Sequence, residues 1–243
     1  MFVKNRLGLL EGLETLLAHE QRMNQVTNNL ANVDTSGYKK DGVTFWEMLY
    51  EAGHNRQRVG KGLKIVTSHD QGVLQQTDNP LDLAITGKGF FKVQTPAGIR
   101  YTRAGNFHVN QAGQLATGDG HLVLGDGGAI TVPGSKFTVT DDGRMFSDDE
   151  EINVVSIVAF DDPGALVKQG DSLYRLKDPA AQEQPVEDLR VRQGFLEKSN
   201  VNTITEMTEM IDLMRAFESQ QRMITVMDGI DDLAVNRVGS LNG

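Results

Sequence analysis

The long proline-free stretch at the end of the chain constrains the fold more than any other feature of the sequence. After Ser199-Asn200-Val201-Asn202, about 36 residues follow without a proline and with one internal glycine, Gly229. Apolar residues recur there in a heptad-like stripe, formed by Met210, Leu213, Phe217, Ile224, Met227, Ala234, Val238 and Leu241, with Gln220 and Asp231 as polar interruptions. This period predicts an amphipathic α-helix. A helix of this length with one apolar stripe needs a partner to bury that face.

A second proline-free stretch lies at the start of the chain, from Val3 to about Asn32. Its apolar residues also follow helical spacing, and they include Leu9, Leu13, Leu16, Met23 and Leu30. The spacing predicts another amphipathic helix. A cluster of turn formers from Asn32 to Gly37 marks its expected end.

The middle of the chain, residues 65–191, has a different pattern. Short β-branched and aromatic runs such as Phe90-Phe91-Lys92-Val93 alternate with turn clusters such as Asp141-Asp142-Gly143. Short strands at this spacing predict an all-β domain. The segment from Tyr50 to Lys64, with three glycines and several charges, is interpreted as a linker or loop.

The predicted fold class is therefore α+β, with long N- and C-terminal helices packed as a coiled-coil-like pair and a central all-β domain. We expect four regions: an N-terminal helix in 1–38, a connecting segment in 39–64, the β domain in 65–191 and a C-terminal helix in 192–243. Two apolar stripes need burial, so we expect a subunit interface formed by Leu9, Leu13, Leu16, Met23, Leu30, Met210, Leu213, Phe217, Ile224 and Met227. Methionine also fills irregular cores well, and the C-terminal stripe could equally be the core of the chain itself.

Composition excludes several classes of function. The chain has 24 basic and 33 acidic residues, a net charge of −9, which argues against a protein that binds nucleic acid phosphates. It has no cysteine, which excludes disulfides and thiolate chemistry. No apolar run is long enough to span a membrane, and the first residues lack the apolar core of a cleaved signal peptide.

The sequence gives only weak signals for catalytic or ligand-binding sites. No two of the five histidines stand four residues apart, as a helical metal site would require. Gly87-Lys88-Gly89 precedes a β-like run rather than a helix, so a tight turn is favoured over a phosphate loop. The acids from Asp141 to Glu151 lack the spacing of a calcium loop and predict a solvated hairpin turn. We therefore predict no catalytic, cofactor-binding or metal-binding residue, and no cofactor.

Three blocks of sequence together resemble the rod and hook proteins of the bacterial flagellum. The first block is Asn28, Asn29, Leu30, Ala31, Asn32, Val33, Asp34, Thr35, Ser36, Gly37, Tyr38 and Lys39. The second runs from Leu81 through Gly89, Phe90 and Phe91 to Tyr101, Thr102, Arg103, Ala104, Gly105, Asn106 and Phe107. The third is Gln193, Gly194, Phe195, Leu196, Glu197, Lys198, Ser199, Asn200, Val201 and Asn202.

The resemblance implies a structural subunit that polymerises through its terminal helices into a helical tube, which transmits motor torque. It implies export by the flagellar type III apparatus without a cleaved signal peptide, a place in the periplasmic part of the basal body, and partners that are copies of itself and other rod proteins. The short segment after Trp46 favours a proximal position in the rod, with a distal position as the alternative. From other classes, a β-domain hydrolase acting on cell-wall polymer and a soluble binding module stay open.

Overall fold

The computed structural model describes the backbone of residues 2–52, 56–134, 136–178, 182–186 and 189–239. It describes their side chains except at residues 2–11, 45–52, 56–63, 231–232 and 234–239. Leu9, one of the predicted interface residues, therefore lies outside the described side chains.

Two long α-helices lie at the two ends of the chain, α1 (Phe2–Ala31) and α2 (Thr203–Gly239). Asn202 precedes α2, and its side-chain oxygen accepts a hydrogen bond from the Thr205 amide at 3.1 Å, which satisfies one of the free N–H groups of the first turn. Helix α1 ends where the Thr35 amide bonds back to the Asn32 carbonyl and Gly37 adopts a φ of 68°. Both helices were predicted from the sequence.

Short strands occupy most of the chain between the helices, and a 3-10 turn covers Pro163–Ala165. The strands are β1 (Asp41–Ala52), β2 (Arg56–Thr67), β3 (Leu74–Gln76), β4 (Leu83–Thr86), β5 (Phe90–Thr95), β6 (Gly98–Thr102), β7 (Phe107–Val109), β8 (Leu115–Thr117), β9 (Leu122–Gly125), β10 (Gly128–Ala129), β11 (Phe137–Val139), β12 (Arg144–Ser147), β13 (Glu150–Val154), β14 (Ile157–Ala159), β15 (Leu166–Gly170), β16 (Leu173–Leu176), β17 (Gln184–Pro185), β18 (Arg190–Gln193) and β19 (Phe195–Glu197).

The chain divides into two units. The helical unit contains Met1–Ala31, Asp41–Val66 and Asn202–Gly243, and the β unit contains Asn32–Lys40 and Thr67–Val201. Compared with the regions expected from the sequence, residues 32–40 and 192–201 belong to the β unit, and residues 41–66 belong to the helical unit.

In the helical unit, α1 and α2 run antiparallel. Arg22 of α1 forms an ion pair with Glu209 of α2 at 2.5 Å, and a Cβ placed on Gly12 would lie 3.4 Å from Ile224. Strands β1 and β2 pair with each other as a two-stranded sheet. The sequence interpretation of a linker or loop from Tyr50 to Lys64 missed these strands, because their glycines and charges resemble a turn region more than a regular strand.

The α+β class agrees with the structure, but the prediction that the helices pack as a coiled-coil-like pair was wrong. A coiled coil buries a continuous apolar seam along both helices. Of the predicted stripes, the structure buries Leu213, whereas Leu13 is 43% exposed. The buried positions on the described parts of the two helices are Gly12, Gln25, Val26, Asn29, Glu206 and Leu213. Polar residues at these positions make hydrogen bonds instead of an apolar seam.

In the β unit, seven strands form the path of the largest sheet, in the order β15-β16-β6-β5-β9-β8-β7, and β10, β14 and β17 pair at its side. A second sheet contains β11, β12 and β13, and the pairs β18–β4 and β19–β3 complete the unit. Adjacent residues of β5 point to opposite faces. Accordingly Phe91 belongs to one apolar cluster and Phe90 to another.

Candidate assembly surface and the polar clusters of the motifs

Helix α2 presents large apolar side chains to solvent over most of its length. Eight of them are between 49% and 78% exposed: Ile204, Met207, Ile211, Met214, Met223, Val226, Ile230 and Leu233. On α1, Leu13 and Leu17 are 43% and 59% exposed. Scattered apolar residues are ordinary on a protein surface, but so many on one helix indicate an interaction surface.

The exposed residues of α2 form two stripes with three- and four-residue steps. The first stripe contains Ile204, Met207, Ile211 and Met214, and the second contains Met223, Val226, Ile230 and Leu233. At 100° per residue, the two stripes point roughly 100° apart around the helix axis. They therefore lie on different faces of α2 as well as in different halves of it.

The predicted interface residues only partly coincide with this surface. Leu13 is exposed and Leu213 is buried, while the remaining described ones are half-buried: Leu16, Met23, Leu30, Met210, Phe217, Ile224 and Met227. Met207, Ile211 and Met214 were not among the interface residues predicted from the sequence. The second stripe was also missed, because the prediction rested on a single heptad stripe along the helix. The subunit interface stays a prediction.

A buried polar cluster in the helical unit explains one residue of the first motif. The Asn29 side chain donates to the Asp41 carbonyl at 2.8 Å and to the Glu206 carboxylate at 3.0 Å, and its oxygen accepts from the Asp41 amide at 3.0 Å. Gln25 also donates to the Asp41 carbonyl. Asn29 and Glu206 are both fully buried. One amide thus joins α1, the start of β1 and the first turns of α2.

A second buried cluster, in the β unit, brings together one residue from each of the three motif blocks. The Glu197 carboxylate accepts from the Lys39 ammonium at 2.6 Å and from the Arg103 guanidinium at 3.2 Å. The Gly72 amide donates to the same carboxylate at 2.8 Å. The exposed fraction of the three charged side chains is 0% for Lys39 and Glu197 and 4% for Arg103.

This cluster holds two positive charges and one negative charge away from water. Burial lowers the pKa of the Lys39 ammonium below its ordinary value of 10.5, and the attraction of Glu197 offsets only part of that effect. Burial likewise lowers the pKa of Arg103, again against the attraction of Glu197. Desolvation of a charge is costly unless the charge is paired. Pairing with the Glu197 carboxylate therefore offsets part of the free-energy cost of burying both cations.

Glycines of the motifs allow the backbone segments around this cluster to approach closely. Gly37, at a φ of 68°, lies so near to Arg103 and Ala104 that a Cβ would overlap their backbone atoms. Gly105 approaches the Leu83 carbonyl in the same way. The Gly37 amide donates to the Glu197 carbonyl at 2.7 Å. Glycine is required at these places because no other residue leaves room for the neighbouring backbone.

The other motif residues have structural roles in the β unit. Phe90, Phe91 and Tyr101 are core residues, and the Thr102 hydroxyl donates to the Ser172 carbonyl at 2.9 Å. The Gln193 side chain donates to the Phe137 carbonyl at 3.0 Å. Lys39 ends the first motif block, and nothing in the sequence indicated its burial. A lysine that ends a motif is usually solvated, and its contact with Glu197, 158 residues away, has no local signal.

The sites considered weak in the sequence have ordinary explanations. Gly87 and Gly89 both have positive φ, and strand β5 follows them instead of the helix that a phosphate loop would require. Asp148 and Asp149, also with positive φ, connect the antiparallel strands β12 and β13, which confirms the hairpin. Across the described part of the chain, no group of three or more His, Asp or Glu side chains is arranged to hold a metal ion. Within the same residues, neither helix is long and apolar enough to cross a membrane.

Three family models match this chain in the order of the three motif blocks. They are a flagellar basal-body rod protein model at residues 9–39, a D1-domain model of flagellar hook protein FlgE/F/G at 84–147, and a C-terminal model of flagellar basal-body rod FlgEFG protein at 192–237.

Curated relatives match nearly the whole chain. The flagellar basal-body rod protein FlgG of Bacillus subtilis is 35% identical, with 94% of this chain and 98% of the relative covered. The flagellar basal-body rod protein FlgF of Caulobacter vibrioides is 36% identical, with 97% and 99% covered. A protein of the same name from Mesorhizobium japonicum is 33% identical, with 96% and 98% covered.

These matches define a non-enzymatic structural protein. The chain belongs to the flagellar basal-body rod protein family, and it is a structural subunit of that rod. Nothing in the comparisons supports the alternative of a cell-wall hydrolase. The resemblance stated from the three motif blocks is confirmed.

Proposed function

We propose that the chain enters the rod by polymerisation through its helical unit, with the exposed stripes of α2 and residues Leu13 and Leu17 of α1 covered by neighbouring subunits. The single observation that carries this proposal is the pair of stripes on α2, whose eight apolar side chains are each about half exposed or more. The ten interface residues predicted from the sequence belong to the same two helices, and we propose that they lie beside the contact with neighbouring subunits.

The exposed stripes can supply a sufficient driving force. Covering a half-exposed Ile, Leu, Met or Val contributes roughly 1 kcal/mol, so eight such residues contribute on the order of 8 kcal/mol before the cost of ordering. The two stripes of α2 face different directions, which favours contacts with two different neighbours. Head-to-tail contacts of this kind continue from subunit to subunit, and they produce a helical filament when the rotation between neighbours does not close a ring.

The position in the rod and the route to it are further parts of the proposal. We place the subunit in the proximal rod, with the distal rod as the alternative. The reason is the resemblance: distal rod proteins typically carry a longer insert after the N-terminal helix, and here only the short segment after Trp46 fills that place. Relatives named FlgG and FlgF match at 35% and 36% identity and favour neither position. The subunit is exported by the type III apparatus to the periplasm without cleavage of a signal peptide. In the periplasm it contacts other rod proteins and contributes to torque transmission. N-terminal sequencing of the subunit from purified basal bodies would show a shortened chain if a leader were cleaved.

A charge inside the first stripe tests the polymerisation. We expect Ile211→Asp to abolish assembly of the purified protein, measured by sedimentation and electron microscopy, with an unchanged far-ultraviolet circular dichroism spectrum of the monomer. The matched control is Ser219→Asp, an exposed position on the same helix outside both stripes, which should assemble as the unmodified protein does. Normal assembly of the Ile211→Asp variant would contradict the proposal.

A further inference from the structure

The buried Glu197 cluster suggests a role that goes beyond polymerisation. Residues Asn32–Lys40, here named the N-terminal strap, belong to the β unit although that unit otherwise begins at Thr67. The strap is followed in sequence by β1 of the helical unit and preceded by α1. Its attachment therefore has to be made by contacts other than those of neighbouring sequence.

Contacts with three short regions of the β unit attach the strap. Besides the Lys39 ion pair, the Lys40 amide donates to the Asn200 side chain at 2.6 Å, and the Ser68 amide donates to the Lys40 carbonyl at 2.8 Å. The Lys39 ammonium donates to the Asp70 carbonyl at 2.7 Å. From β15, Lys168 lies over the Tyr38 ring at 3.9 Å and donates to the Lys39 carbonyl. These contacts reach residues around 70, 168 and 200, far along the chain from the strap.

The strap contributes little to the apolar core, because neither apolar cluster of the β unit includes any of its residues. Its release would therefore leave the core strands intact. Without the charge of Glu197, the Lys39 and Arg103 cations would lose the carboxylate that they share, and Asp70 would be the further negative charge that acts on Lys39. Lys39 can escape to water by detachment of the strap, but Arg103 sits on the chain between core strands β6 and β7. Local opening of such a segment precedes global unfolding.

We propose that Glu197 is the positioning residue of the N-terminal strap: its charge holds Lys39 inside the β unit and thereby fixes the path of the chain between α1 and β1. Lys39 and Glu197 are 158 residues apart. The strap thus becomes ordered only after the chain has been synthesised beyond Glu197. Its ordering therefore depends on a folded β unit.

Hydrogen exchange measured by mass spectrometry on the full-length monomer tests this role, at concentrations too low for assembly. In Glu197→Gln, which keeps the shape of the side chain and removes its charge, we expect exchange of residues 32–40 to rise at least tenfold. Exchange of strand β5 in the core should stay unchanged. Lys39→Met should raise strap exchange less, because Arg103 and Glu197 then stay as a neutral pair.

The order of these two effects separates charge from packing. A packing role alone predicts a larger effect for Lys39→Met than for the nearly isosteric Glu197→Gln, and that result would overturn the proposal. Unchanged strap exchange in Glu197→Gln, or equal loss of protection in β5, would also overturn it. The control is Lys136→Met, which removes an exposed ion pair with Asp149 at 3.6 Å and should change neither segment. Because assembly is not measured, the outcome is independent of the polymerisation proposal.

Discussion

The β unit and the helical unit differ in the exposure of their apolar side chains. In the β unit, residues such as Phe91, Leu115 and Met145 are completely buried in a cluster that also includes Val191. In the helical unit, α2 leaves side chains such as Ile204 and Leu233 more than 60% exposed. One unit has a core of its own, whereas the other has apolar surface in excess of what it buries.

The difference shows how a single chain can combine a stable body with an exposed apolar surface, which we propose is used for assembly. A sheet with two covered faces gains its free energy of folding within the chain. An amphipathic helix is marginal in water and gains most of its stability from packing. Three of the buried positions on the described parts of the two helices, Gln25, Asn29 and Glu206, are polar, while the apolar stripes of α2 stay exposed.

The largest effect should come from a cavity in the β unit. Phe91 is fully buried and meets Phe107 edge-on, with ring centroids 5.1 Å apart. We expect Phe91→Ala to lower the free energy of unfolding of the β unit by about 3–5 kcal/mol, measured by urea denaturation. The matched change in the helical unit, Ile211→Ala at a half-exposed position, should cost the monomer less than about 1 kcal/mol. Equal losses in both variants would contradict the comparison.

A smaller effect is expected at the polar cluster of the helical unit. Asn29→Ala removes the buried hydrogen bonds that the Asn29 side chain makes with Asp41 and Glu206, which costs about 1–3 kcal/mol. The loss should appear in the thermal unfolding of the helices, followed by circular dichroism at a helix wavelength. Asn24→Ala, at an exposed position of the same helix, serves as the control. If both variants melt alike, Asn29 does not hold the unit together.

The smallest effect concerns pH and the Glu197 cluster. The folded state lowers the pKa of Lys39 below 10.5, so in the range between the lowered pKa and 10.5 the unfolded chain binds more protons. Stability contributed by this group therefore rises as the pH increases through that range and falls as the pH decreases. The stability of the unmodified protein relative to Lys39→Met should thus increase between neutral pH and about pH 10. A constant difference in urea denaturation would show that burial of Lys39 does not perturb its titration.

Local patterns in the sequence were enough for the two helices, the β-rich middle and the family. The helices followed from proline-free stretches with a period near 3.6 residues, and the strands followed from alternating short runs and turns. The motif blocks indicated the rod family without any knowledge of their contacts. Strands β1 and β2 were missed because Gly53, Gly60 and Gly62 are more typical of a loop than of a strand.

The role of the motifs was beyond the sequence for a physical reason. Asn29, Lys39, Arg103 and Glu197 are ordinary polar residues in any local window, and their burial results from contacts across 94 to 177 residues. The same holds for the coiled-coil prediction, which failed because periodicity shows that a helix has an apolar face but does not show what covers it.

The sequence by itself determined the order of helix, strands and helix, and the class of protein, because helix and strand periods and turn residues are short-range properties of the chain. Only the tertiary structure decided which apolar residues a subunit buries and which it leaves exposed. It also decided that one carboxylate, Glu197, pairs with cations from two distant motifs. Burial and ion pairing depend on distances in space, and these arise only when remote segments pack together.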